Sequence, residues 1–159
     1  LVMGRPTSFY YKSPKGCGAD SCSQEILALG TPLLWWLGTI AVVVVFGLWT
    51  RSIAKRRLDP ALTVIVTGIT AGYLPWFFFQ QRTVFSFYAI VFEPFLILAI
   101  IYCAYVALLH FENKRNIYTI LGLIGLVIFI NFIFFLPVFT GDVITYDSWQ
   151  ARMWLPSWV

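Results

Sequence analysis

The sequence predicts an all-α integral membrane fold of four spanning helices, with an outer N-terminal loop and an interfacial, Trp-rich C-terminal tail. Three observations lead there. The chain of 159 residues is 60% hydrophobic and 19% aromatic but only 11% charged, and its mean hydropathy of +0.81 lies well outside the balance of soluble domains. It contains several charge-free runs close to the ~20 residues that cross a bilayer's hydrocarbon as helix. Its basic residues gather in the short segments between those runs, as they do where membrane proteins fix their orientation.

Residues 1–25 are polar, rich in Gly, Ser and Tyr and interrupted by Pro6 and Pro14, so they read as a loop with little regular structure. Phe9, Tyr10 and Tyr11 suit a membrane interface. In "KGCGADSCSQ", Cys17 and Cys22 lie in a segment expected outside the cell, where oxidation favours a local disulfide. The same loop offers too few further ligands for a metal, and none is expected here. "SCSQEILALGTP" has the residues to open a short helix, with Ser21 or Ser23 capping and Gln24 or Glu25 in the first turn.

Residues 26–140 form the expected membrane region, with spans at about 26–50, 61–79, 83–111 and 117–140. Pro32 marks entry to the first. Gly38, Gly47, Gly68, Gly72, Gly122 and Gly125 are places where helices could approach closely, and Gly68-x-x-x-Gly72 has the packing spacing. Cys103 inside the third span reads as a small packing residue. Residues 141–159 are too polar to span and too short to fold alone. With Trp149, Trp154, Trp158 and Arg152 they fit the headgroup layer, so Arg152 and Trp154 are read as interfacial anchors.

A net charge of +4 would suggest nucleic acid in a soluble protein. Here "RSIAKRRLD" and "ENKRN" join spans one to two and three to four, so both turns are expected in the cytoplasm and no nucleic-acid partner is expected. The N-terminal segment, the turn at residues 80–83 and the tail then share the opposite face. Both termini are therefore expected on the non-cytoplasmic side, and the chain, which starts without Met, is expected to be a piece of something longer.

No soluble catalytic motif is present, so any site must come from intramembrane or interfacial polar groups. Arg82 follows "YLPWFFFQQ" at the outer interface, where a guanidinium can bind phosphate oxygens in bidentate fashion or simply snorkel to headgroups. Glu93 lies about ten residues further on, inside the hydrocarbon if a helix begins near Thr83, where a carboxylate needs a partner or a proton. On one continuous helix the two would share a face within about 20°, with Ser86 and Ala89 on the same stripe, yet stand about 16 Å apart. They are not expected to pair directly, and Pro94 would spoil the stripe if it broke the helix. Asn131 reads first as an interhelical hydrogen-bonder. His110 reads as an interfacial residue at the cytoplasmic end, while Asp142 and Asp147 are weak catalytic candidates.

The words "RPTSFYY", "SQEILALGTPLLWW", "YLPWF", "RTVFSFYA", "EPFL" and "WQARMWLPSW" taken in order resemble the C-terminal four-helix region of the bacterial protein O-mannosyltransferases, from Arg5 to Trp158. That resemblance implies a GT-C glycosyltransferase of the plasma membrane. Such an enzyme takes mannose from a polyprenyl phosphate and attaches it to Ser or Thr of secreted acceptor proteins on the non-cytoplasmic face. It implies that the catalytic acids, and any divalent metal, belong to an N-terminal half of the same enzyme. This chain alone would then be inactive and need no cofactor of its own. It also places the family's donor-phosphate arginine on Arg82. Where eukaryotic relatives carry an "HHY"-like element, this chain has Ser86, Phe87 and Tyr88, which leaves Tyr88 as the hydrogen-bond donor. Two other readings compete: a non-catalytic module that packs against helices and binds membrane lipids, and a transporter segment built on Glu93, which has no internal repeat to support it.

Overall fold

A computed structural model describes residues 6–15, 17–18, 21–78 and 86–158. Among these described residues are four helices long and apolar enough to cross a membrane: Pro32–Ala54, Pro60–Phe77, Glu93–His110 and Lys114–Thr140. The second comprises α-helix Pro60–Tyr73 and a 3-10 turn Leu74–Phe77. We label the α-helices α1 (Pro32–Ala54), α2 (Pro60–Tyr73), α3 (Glu93–His110) and α4 (Lys114–Thr140).

Local chemistry sets their ends. α1 opens on Pro32, whose fixed φ suits a first helical position, although Thr31 provides no side-chain cap. α2 opens on Asp59-Pro60, and Asp59 Oδ1 accepts from the N–H groups of Ala61 (2.8 Å) and Leu62 (3.2 Å). Asn113 caps α4 by accepting from Asn116 N at 3.2 Å. α4 stops at Gly141, which has φ +76° and lies so close to Ile26 that a Cβ would come within 2.7 Å of its Cγ1.

The segments before α1 and after α4 are not the loop and tail expected. β1 (Thr7–Lys12), β2 (Cys22–Ala28) and β3 (Val143–Thr145) form an antiparallel sheet in the order β1-β2-β3. Strand β2 stands where a short helix was expected and where the first span was extended back to Ile26. The reason is tertiary: β2 is flanked on both sides, by Thr7–Lys12 and by a strand more than a hundred residues later. It turns Ser23, Glu25 and Leu27 inward as a strand alternates. Beyond β3 come α5 (Tyr146–Gln150) and a 3-10 turn Pro156–Trp158.

Two cores result. Ala41, Val42 and Val45 of α1, Leu62, Ile65, Val66 and Ile69 of α2, and Ala99 of α3 form the membrane core. Gly68 and Gly72 do pack closely, against the Phe95 and Phe92 side chains, and Gly38 against Leu96; Gly47, Gly122 and Gly125 face open space among the described residues. The second core lies under the sheet and joins Leu27 and Leu29 to Phe135 and Val138 of α4 and to Trp149 and Trp158 of the tail. Since β2 leads into α1 and β3 follows α4, both ends of the chain meet at one end of the bundle. The linkers at residues 55–59 and 111–113 lie at the other.

Candidate functional site

The sheet end of the bundle gathers most of the polar groups singled out in the sequence. Cys17 and Cys22 are joined by a disulfide across the β1–β2 connection, and Cys17 N donates to Cys22 Sγ. Asn131, 5% exposed, accepts at Oδ1 from Leu33 N at 3.2 Å. That meets one of the orphan N–H groups in the first turn of α1, which Thr31 leaves uncapped.

Glu93 is displaced from its expected setting. A 3-10 turn covers Ser86–Val91, and α3 starts at Glu93 itself, with Pro94 in its first turn. Pro94 and the tight 3-10 geometry interrupt the expected helix 83–111, so Ser86, Ala89 and Glu93 do not lie on one α-helical stripe. The glutamate stands at the N-terminus of α3, where the helix dipole favours a carboxylate. Its carboxylate forms no hydrogen bond or ion pair among the described residues. Arg82 lies outside the described residues.

Tyr88 is half-buried, and its ring stacks on Trp76 at 4.8 Å and 26°. Trp76 Nε1 donates to Gly72 O at 3.0 Å, which fixes the indole against the end of α2. The aromatic contacts continue inward: Tyr73 meets Phe77 at 5.4 Å and Phe92 at 5.5 Å, and Phe92 meets Trp35 of α1 at 6.0 Å. These rings wall the sheet end between α1, α2 and the start of α3.

The tail packs instead of merely lying in an interface. Trp149 is buried and its Nε1 donates to Glu25 Oε2 at 2.5 Å, so a buried carboxyl on β2 ties the N-terminal segment to α5. Gln24 Nε2 donates to Gly141 O at 2.8 Å. Trp154 sits between Trp36 (5.9 Å) and Phe135 (5.0 Å). Arg152 donates from Nε to Phe134 O at 2.7 Å and from Nη1 to Ser148 O and Oγ, with its guanidinium 4.7 Å from the Phe134 ring centroid.

At the opposite end, Asp59 Oδ2 accepts from the Tyr102 hydroxyl at 2.8 Å, joining α2 to α3. That bond above all, with the two backbone N–H groups, holds the Asp59 carboxyl below the usual range against the opposing effect of burial. Lys114 Nζ donates to the carbonyls of Leu108 and Phe111, and His110 Nδ1 lies 3.1 Å from Val106 O. Cys103 Sγ contacts Ala41 O at 3.8 Å, as a packing residue would. Sequence reasoning missed Glu25, Trp76 and the Asp59–Tyr102 pair. Asp-Pro ahead of an apolar run signals a helix start and could have flagged Asp59, whereas Glu25 and Trp76 carry no local signal. Among the described residues no group of His, Cys, Asp or Glu is placed to hold a metal ion.

Four apolar spans, a small disulfide-clipped sheet uniting both ends of the chain, and an aromatic wall beneath it define an integral membrane region of a polytopic protein. Residues 1–158 match the family model described as the C-terminal four TMM region of protein-O-mannosyltransferase, and the chain belongs to that family. A polyprenol-phosphate-mannose–protein mannosyltransferase of Mycolicibacterium smegmatis is 36% identical over 151 residues, covering 90% of this chain and 28% of the relative. One from Mycobacterium tuberculosis is 34% identical over 148 residues, covering 90% and 27%. One from Corynebacterium glutamicum is 30% identical over 164 residues, covering 99% and 30%. The fold matches the Saccharomyces cerevisiae protein O-mannosyltransferase Pmt1-Pmt2 complex bound to the sugar donor, with a TM-score of 0.69 at 20% identity over 86% of this chain and 20% of that one. The chain thus spans about three tenths of the length of these curated relatives.

Proposed function

We propose that this chain is the C-terminal membrane region of an enzyme that moves mannose from a polyprenyl phosphate to Ser or Thr of secreted proteins, and that it helps to hold the donor's phosphate. The observation that carries the reading is the family match across residues 1–158. The curated relatives are named for a polyprenol-phosphate-mannose donor and a protein acceptor.

The chemistry asked of this region is modest and physical. As the sugar leaves, negative charge grows on the lipid phosphate, and a guanidinium fixed where water is scarce stabilises it. Arg82 is the residue assigned to that task. Tyr88, held by its stack on Trp76, is assigned a hydroxyl donor to the same phosphate. The acid–base groups of transfer, and any divalent metal, belong to the N-terminal half of the enzyme, which is also this region's packing partner. The sheet end faces outward across the plasma membrane, because it carries the disulfide while the basic linkers lie at the other end.

The test is mannose transfer by the full-length enzyme. Arg82→Ala is expected to lower the rate by about 100-fold or more at normal expression, and Tyr88→Phe by a smaller factor. Wild-type rates in Arg82→Ala would remove the donor-phosphate role.

A further inference from the structure

Among the described residues Arg152 is a cation without a counter-charge. Its Nε and Nη1 are committed to Phe134 O, Ser148 O and Ser148 Oγ. The second η nitrogen has no hydrogen-bond partner among the described residues, and no carboxylate there forms an ion pair with the side chain. Asp142 and Asp147 lie at the same end and do not pair with it. The guanidinium rests on Phe134. That ring belongs to α4, where the successive residues Phe132, Ile133 and Phe134 are all exposed in this chain. Phe134 stands six residues before the last residue of α4, or roughly 9 Å below the helix end. Partial burial lowers the Arg152 pKa from its usual value.

A charge at that depth is expensive unless something answers it. An arginine that merely snorkels would leave its guanidinium free to follow the water. This one is pinned by three hydrogen bonds and a ring face, with two N–H groups left over in a fixed plane. That geometry suits phosphate oxygens, which guanidinium planes bind by preference.

We propose that Arg152 is a lipid-phosphate site, binding the phosphodiester of a lipid at the sheet-end boundary of the membrane beside α4. Two lipids carry that group, the phospholipids of the surrounding bilayer and a polyprenyl-phosphate-mannose donor. The bilayer arm stands without the transferase reading; the donor arm rests on it.

The experiment uses the full-length enzyme with Arg152→Gln, which retains an amide donor for the carbonyls but no charge, and with Arg152→Lys. Phospholipid retained per chain after mild detergent purification is measured by phosphorus assay and mass spectrometry. The KM for polyprenyl-phosphate-mannose is measured in nanodiscs of phosphatidylcholine with and without phosphatidylglycerol. A bilayer lipid predicts that Arg152→Gln loses about one retained phospholipid per chain with KM unchanged. A donor phosphate predicts a KM raised about tenfold with kcat unchanged and lipid count unchanged. If Arg152→Gln fails to fold, Arg152→Lys decides, since loss of the planar fork is expected to weaken one of the two readouts severalfold. Wild-type lipid retention together with wild-type KM in the folded variant would overturn the proposal. Loss of transfer in Arg82→Ala with both Arg152 readouts unchanged would leave the transferase reading intact and remove only this site.

Discussion

At the scale of single residues, the polar side chains placed against the helices mostly serve the backbone. Asn131 answers an orphan N–H of α1, Asp59 caps α2, and Arg152 takes a carbonyl beside Pro137. Asp59 gives a pH prediction. Its folded pKa is lowered, first by the Tyr102 hydroxyl and then by the Ala61 and Leu62 N–H groups. A carboxylate with a depressed folded pKa contributes stability above its unfolded pKa of about 3.9 and loses it as pH falls through the folded value. Wild type is therefore expected to melt above Asp59→Asn at pH 7 in detergent, with the gap closing as pH drops below about 4. A gap that stays constant through that range would mean the ionised form is not favoured by folding.

At the scale of elements, the spans were legible and the sheet was not. Charge-free runs bounded by "RSIAKRRLD" and "ENKRN" announce helices, because lipid leaves the backbone no other way to satisfy itself along such runs. Strand β2 hid for a physical reason: its inward face carries Ser23 and Glu25 as well as Leu27, so apolar alternation is broken, and one of its two partners, β3, lies more than a hundred residues later. Glu93-Pro94 was visible as a break, yet sequence could not say that α3 begins there. The buried Glu25–Trp149 bond was invisible for the same reason as the sheet, since only the fold brings β2 to α5. Trp149→Phe removes the donor and leaves a buried carboxyl without a partner among the described residues, and is expected to cost about 1–3 kcal/mol in melting experiments. Glu25→Gln keeps an acceptor and should cost less. In the double variant the losses should fall short of their sum by more than about 0.5 kcal/mol, as coupled neighbours do; strict additivity would show that the pair does not interact. Ser23, fully buried with a hydroxyl that has no partner among the described residues, marks another polar group placed by the strand's register.

At the scale of the whole molecule, the bundle has two chemically different ends. One carries the sheet, the Cys17–Cys22 disulfide, the tail and the aromatic wall of Trp35, Tyr73, Trp76, Tyr88 and Phe92. The other carries Arg51, Lys55, Arg56, Arg57, Lys114 and Arg115. An even number of spans lets both chain ends join one sheet, and it also commits every site residue at that end to the same compartment. The proposal that this compartment is the outside rests on two independent features, the disulfide and the basic linkers at the other end. The consequence can be read in intact cells carrying the full-length protein with single introduced cysteines. A membrane-impermeant maleimide is expected to label Ser13→Cys, in the β1–β2 connection, before permeabilisation, and Lys55→Cys or Asn116→Cys only afterwards. The native pair stays oxidised, and Cys103 lies half-buried within α3, so neither should contribute background. The reverse pattern would put the sheet in the cytoplasm, where a disulfide is disfavoured and secreted acceptors do not pass, and would remove the transfer reading for this end of the bundle.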